Sequence, residues 1–173
     1  MEKIEVTPEQ LGQILFVFIL DIALDNLKNK EIIETLGIEK KEQSNLLREM
    51  IIINMFAVIT AIQDLLKNEK TENDILDYMH KAYFKALIKE LNFGEEEITA
   101  ENTHILTRYK EYQEAMQEKR GPNWLWPLTD HMLNNLRGEK TKDAISMMCL
   151  TTIISKLMEI LPETINKYAV GEN

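Results

Sequence analysis

Three stretches of this chain, residues 11–27, 46–66 and 144–161, are apolar on almost every face of a helix. A helix that is apolar all round has to be buried on most sides. A lone bundle of this size needs only one such helix at its centre, so three leave a surplus of apolar surface. That surplus goes either into a cavity between helices or into a subunit interface, most often a two-fold homodimer. The sequence favours the homo-oligomer, with a dimer first, because no convergent polar groups mark a pocket. The nine methionines supply adaptable apolar surface that suits either outcome.

The rest of the chain reads as helix too. Only 6 glycines and 4 prolines occur in 173 residues, about half the usual share, which argues against a loop-rich or β fold. Thr7-Pro8-Glu9-Gln10 has the form of a capping box with proline at the first helical position, and opens a helix to about Asn29. Glu31 to Leu36 is a short segment closed by Gly37, and a long helix follows from about Glu39 to Lys67. Thr71 or Asn73 opens the next, to about Asn92, and Thr99 caps another that runs to about Lys119. A connector, Trp124-Leu125-Trp126-Pro127, leads to a short helix, Leu128 to Arg137. Thr141 caps the last long helix, which Pro162 ends or restarts as a final turn. No strand is expected, and the tail from Val170 is expected to fray. The fold class is therefore all-α: residues 1–173 as a single compact helical bundle of about five long helices and two or three short ones.

Several function classes lose support. The net charge is −9 and the pI near 4.9, whereas binding to a phosphate backbone draws on a basic surplus, so nucleic acid is not the expected partner. The apolar run Ile14 to Leu20 follows acidic residues and is interrupted by Asp21 and Asp25, unlike a signal peptide. No unbroken apolar run of about 18 residues exists, so no spanning helix and no membrane association are expected; the chain reads as cytoplasmic. The single cysteine, Cys149, lies in an apolar run and reads as a small buried hydrophobe. It lacks the charged setting of a reactive thiol, and the chain has neither a glycine-rich phosphate loop nor a nucleophile elbow. The reading therefore leans away from an enzyme, and no cofactor is expected.

Four groups of residues could carry chemistry. Asp77-x-x-His80 and Glu101-x-x-His104 each place a carboxylate and an imidazole on adjacent helical turns, the spacing used by carboxylate-bridged di-metal bundles. Asp77, His80, Glu101 and His104 are the candidate metal ligands, although no inward glutamate on other helices completes the set. A mononuclear site from His80, His104 and His131 is a weaker variant. Glu101, His104, Arg108 and Glu111 form a stripe opposite the Ile105/Tyr109/Tyr112/Met116 seam, and that stripe is expected to meet water. Residues 31–48 have the outline of a degenerate helix-turn-helix, with Lys40, Lys41, Gln43, Ser44 and Asn45 on the second helix; Glu39 and Glu42 would oppose phosphate. Asp21 and Asp25, with Lys28, read as a polar stripe on an edge helix. Trp124 and Trp126 either anchor a partner or plug the end of the bundle.

The expected function is that of a non-enzymatic cytoplasmic protein working through self-association or contact with a protein partner. The first alternative is a small-molecule- or metal-binding bundle that uses the carboxylate/histidine pairs. The second is a regulator with the helix-turn-helix at residues 31–48.

Overall fold

The computed structural model describes residues 3–118, 125–137 and 143–171. Among them are seven helices: α1 (Pro8–Lys28), α2 (Lys30–Thr35), α3 (Gln43–Leu65), α4 (Glu69–Leu91), α5 (Glu95–Glu118), α6 (Leu125–Arg137) and α7 (Ala144–Asn166). A 3-10 turn, Lys40–Glu42, leads into α3. The all-α bundle read from the sequence is the observed class, with α3 at its centre against α1, α4, α5, α6 and α7. Burial of nearly all of α3 from Glu49 to Val58 follows from its all-round apolar surface. Its one deeply buried amide, Asn54, donates from Nδ2 to the Ile19 carbonyl at 3.2 Å, so no polar group is stranded there.

Local signals explain most helix ends. The capping box at α1 forms in both directions: Gln10 N–H donates to Thr7 Oγ1 at 3.2 Å, and Thr7 N–H to Gln10 Oε1 at 2.9 Å. Gly37 takes φ +60 after α2, a conformation glycine adopts without strain.

Other boundaries move. Helix α4 starts at Glu69 rather than at Thr71 or Asn73, because the Asn68 carboxamide accepts from Thr71 N–H at 3.1 Å. Helix α5 starts at Glu95, four residues ahead of the expected cap Thr99. Its acidic first turn suits the positive end of the helix dipole. Thr99, Thr103 and Thr107 instead bond back to the carbonyls of Glu95, Thr99 and Thr103, as threonines do inside a helix. The cap of α7 is Asp143, whose carboxylate accepts from the N–H groups of Ile145 and Ser146; Thr141 lies outside the described residues. The same helix runs through Pro162 to Asn166. Leu161 and Ile165 on either side are buried, and their packing outweighs the bond that proline removes.

Two expectations are overturned by contacts between the chain ends. Ile4–Val6 (β1) and Tyr168–Val170 (β2) form a parallel pair, with Ile4 opposite Tyr168 and Val6 opposite Val170. Ile4 N–H donates to Lys167 O, and Gly171 N–H to Val6 O. A strand pair thus exists, and the tail as far as Gly171 is tied down rather than frayed. The expectation that no helix could cross a membrane also fails on length and composition. Pro8–Lys28, Lys40–Leu65 and Ala144–Asn166 are each long and apolar enough, because scattered polar residues break an unbroken run without lowering the average hydropathy much.

Candidate functional site

Residues 48 and 49 carry opposite charges at the head of the apolar stretch of α3, and consecutive helical positions point in different directions. Each meets its own set of partners on α5. Arg48 reaches Glu101 through Nε to Oε1 at 3.1 Å and through Nη2 to Oε2, a two-bond fork of the strong, charge-assisted kind. The Tyr83 hydroxyl of α4 donates to the same Glu101 Oε1 at 2.6 Å. Burial, then the Glu101 carboxylate, pushes the Tyr83 hydroxyl far above its ordinary range, so it stays protonated.

Glu49, 1% exposed, gathers a second set. His104 Nε2 lies 3.0 Å from its Oε1, Arg108 Nε 3.2 Å from its Oε2, and the Tyr112 hydroxyl 3.4 Å from that oxygen. Arg108 Nη1 also donates to Glu111 at 2.9 Å, and Asn135 of α6 donates to the same carboxylate at 3.2 Å. Burial works against the Arg108 charge, but Glu49 and Glu111 overcome it and hold its pKa above the usual value. A single layer of charges thus ties α3 to α4, α5 and α6. Among the described residues no buried side-chain polar atom in the structure lacks a partner, as a buried network must arrange to avoid a large desolvation cost.

This layer corrects the reading of α5. The Glu101/His104/Arg108/Glu111 stripe was expected to meet water; it faces inward, with Glu101 3% exposed. The Ile105/Tyr112 seam is buried beside it. A charged stripe next to an apolar seam looks like a solvated face unless its counter-charges are known. Those counter-charges, Arg48 and Glu49, sit more than fifty positions away in the chain.

Beside the Arg48/Glu101/Tyr83 group lies a cavity of about 660 Å³. Phe16 and Leu20 of α1, Leu47 and Ile51 of α3, and Ala86 and Leu87 of α4 form its apolar walls, together with Phe93 from the link between α4 and α5. Phe16 and Tyr83 meet edge to face with ring centroids 6.1 Å apart, which holds the inner wall. Arg48, Tyr83 and Glu101 line it as well, so polar groups do converge on a pocket, contrary to the expectation from sequence.

The four candidate metal ligands take separate partners. Asp77 is exposed. His80 lies with Nδ1 2.7 Å from the Leu76 carbonyl and Nε2 2.8 Å from the Tyr109 hydroxyl. A carbonyl only accepts, so Nδ1 carries the proton and Tyr109 donates to Nε2. Burial lowers the His80 pKa, against the opposing effects of Leu76 and Asp77, and favours that neutral form. Glu101 is taken by Arg48 and Tyr83, and His104 by Glu49. Among the described residues no group of three or more His, Cys, Asp or Glu side chains is placed to hold a metal. His131 is half-buried on α6.

The helix-turn-helix outline becomes a six-residue α2 that buries no side chain, a 3-10 turn, and the central helix α3. Lys41 is paired with Glu39 at 2.9 Å, and Ser44 and Asn45 face the cavity. Asp21 and Asp25 lie on an exposed stripe of α1, where Asp25 meets Lys28 at 3.6 Å. Trp126 is partly exposed on α6, and Trp124 lies outside the described residues. Cys149 is half-buried rather than buried, and burial raises its thiol pKa.

No protein-family model matches the chain, and no curated protein or solved structure matches it.

Proposed function

We propose that the chain binds an apolar small molecule in the cavity between α1, α3, α4 and α5, and that it works as a binding protein rather than a catalyst. The cavity itself carries this reading. Its volume of about 660 Å³ falls inside the roughly 300–1,000 Å³ usual for small-molecule sites, and apolar walls with a few polar groups are the usual lining. Its inner polar groups, Arg48, Tyr83 and Glu101, are already committed to one another, and Tyr83 is held protonated, which favours positioning a ligand over acid–base work. Titration with the neutral fluorophore N-phenyl-1-naphthylamine tests the reading. Saturable enhancement is expected for the wild type, and at least about tenfold weaker binding for Ala86→Trp, whose indole fills the space; circular dichroism checks that the variant folds. A wild type that gives no saturable signal would sink the reading.

A second reading, self-association, is favoured by a separate observation. Helix α7 exposes Ile145, Met148 and Ile160 beside a groove shared with α1 and α2. Such a patch calls for cover. A second copy suits it because a two-fold contact pairs a surface with itself, and this groove carries both signs, Lys156 and Glu31. The same reading places the protein in the cytoplasm and outside the bilayer; α1 supports the second part, because it turns Gln13, Asp21, Asp25 and Lys28 outward, a stripe unsuited to lipid. Native mass spectrometry is expected to show a dimer that Met148→Glu converts to monomer. A wild-type monomer, or a chain that sediments with membranes, removes this reading.

A further inference from the structure

The charges around the cavity are unequal, and the inequality selects a ligand. Among the described residues that line it, Arg48 is the one cation, against the carboxylates Glu90, Glu97 and Glu101. Arg48 and Glu101 satisfy each other in the inner wall. That leaves Glu90 and Glu97 at the mouth, where α4 ends and α5 begins, with the Phe93 ring between them in the chain.

The fixed dipoles and neighbouring charges lean the same way. Glu90 and Leu91 stand in the last turn of α4, whose C-terminal carbonyls favour a positive charge. The N-terminus of α5 would favour a negative one, but Glu95, Glu96 and Glu97 fill its first turn, and the Glu97 carboxylate accepts from Gly94 N–H at 2.7 Å. Lys89 touches Glu90 Oε1 at 3.2 Å with both side chains largely in water, where such a pair is weak. The chain as a whole adds a net charge of −9, which draws cations and repels anions.

From this we infer that the cavity takes a lipophilic cation, an alkyl or aryl amine or quaternary ammonium. Its apolar body lies against Phe16, Leu20, Ile51 and Leu87, and its charged head sits at the mouth between Glu90 and Glu97. The Phe93 ring lines the same cavity and offers the head an aromatic face, which attracts an alkylammonium and not an anion. This rests on the cavity being a small-molecule site and adds the sign of the ligand's charge.

A matched series separates the two claims. Octyltrimethylammonium, octanol and octyl sulfate share one tail and differ in head charge; each competes with N-phenyl-1-naphthylamine on the full chain, below micellar concentrations. The cation is expected to bind about tenfold more tightly than the alcohol, the order expected of two solvent-exposed carboxylates, and the sulfate more weakly than the alcohol. Added salt should shrink the cation's advantage, and Glu90→Gln with Glu97→Gln should bring the cation-to-alcohol ratio down to a fewfold or less. Equal binding of cation and alcohol would overturn the charge selection while leaving the cavity as an apolar site. Tightest binding by the sulfate would overturn it too, and would make Arg48 the recognising group. A fluorophore that binds but that no member of the series displaces overturns the inference alone; a wild type that gives no saturable fluorescence and binds no member of the series removes both the inference and the cavity reading.

Discussion

Gly12→Ala lowers the stability of the folded chain, although in an isolated helix the same change would raise it. Alanine in place of a mid-helix glycine gains about 0.5–1 kcal/mol from backbone entropy. At this position the added Cβ would stand 2.6 Å from the Ile75 carbonyl oxygen, 2.8 Å from Tyr78 Cβ and 2.9 Å from Met79 N. Two of those three atoms are backbone of α4, so no rotamer change relieves the contact and the helices must part. Overpacking of this kind costs about 1–3 kcal/mol, and here it outweighs the propensity gain. The separation reaches further than one residue, since α1 and α4 both wall the cavity. Urea unfolding is expected to show Gly12→Ala less stable than wild type by about 1–2 kcal/mol, and Gly12→Leu less stable still. A Gly12→Ala protein as stable as wild type would mean that the two helices do not approach this closely in solution.

The other large effect is expected from Glu49→Ala. The substitution removes the acceptor shared by His104, Arg108 and Tyr112 and leaves those donors in a space that Glu49 had filled at 1% exposure. Breaking a buried pair by removing one partner costs about 3–5 kcal/mol. The lower end applies, because Arg108 keeps Glu111. For a chain of this length each kcal/mol moves Tm by about 2–4 °C, so a fall of roughly 6–12 °C is expected. Glu49→Gln retains one acceptor oxygen and should lose less. Thermal melts followed by circular dichroism decide: if the alanine variant melts within about 2 °C of wild type, the charge layer contributes little to stability.

The two sites differ in how far the sequence announces them. Nothing around Gly12 marks it, since a lone glycine in an apolar helix reads as a neutral gap. Its role depends on which turn of α4 crosses over it. Arg48 and Glu49 could have been noticed as two opposite charges at the head of an apolar run. The stripe Glu101, His104, Arg108 and Glu111 was visible at helical spacing, and assigning it to water was the default for a charged face. Only pairing the two segments shows that Arg48 meets Glu101 and Glu49 meets Arg108 inside the bundle. The carboxylate–histidine spacings were real as well. Helix spacing sets only which residues share a face, however, and the partners each side chain took, Tyr109 for His80 and Glu49 for His104, came from other helices.

What the sequence by itself determined is what short-range chemistry decides. The Thr7/Gln10 capping box, the glycine turn after α2, the burial of most of the apolar stretch from Leu46 to Ile62 and the all-α class each depend on residues within a few positions or on one helix's own periodicity. The tertiary structure decided everything that needs two distant segments in contact. It joined Ile4 to Tyr168 and turned the charged stripe of α5 toward α3. It also left an apolar space between four helices whose facing surfaces do not quite fill it. Side-chain periodicity gives each helix an inward face, but the volume left between such faces depends on crossing angles and close approaches like the one at Gly12, and these exist only once the chain is folded.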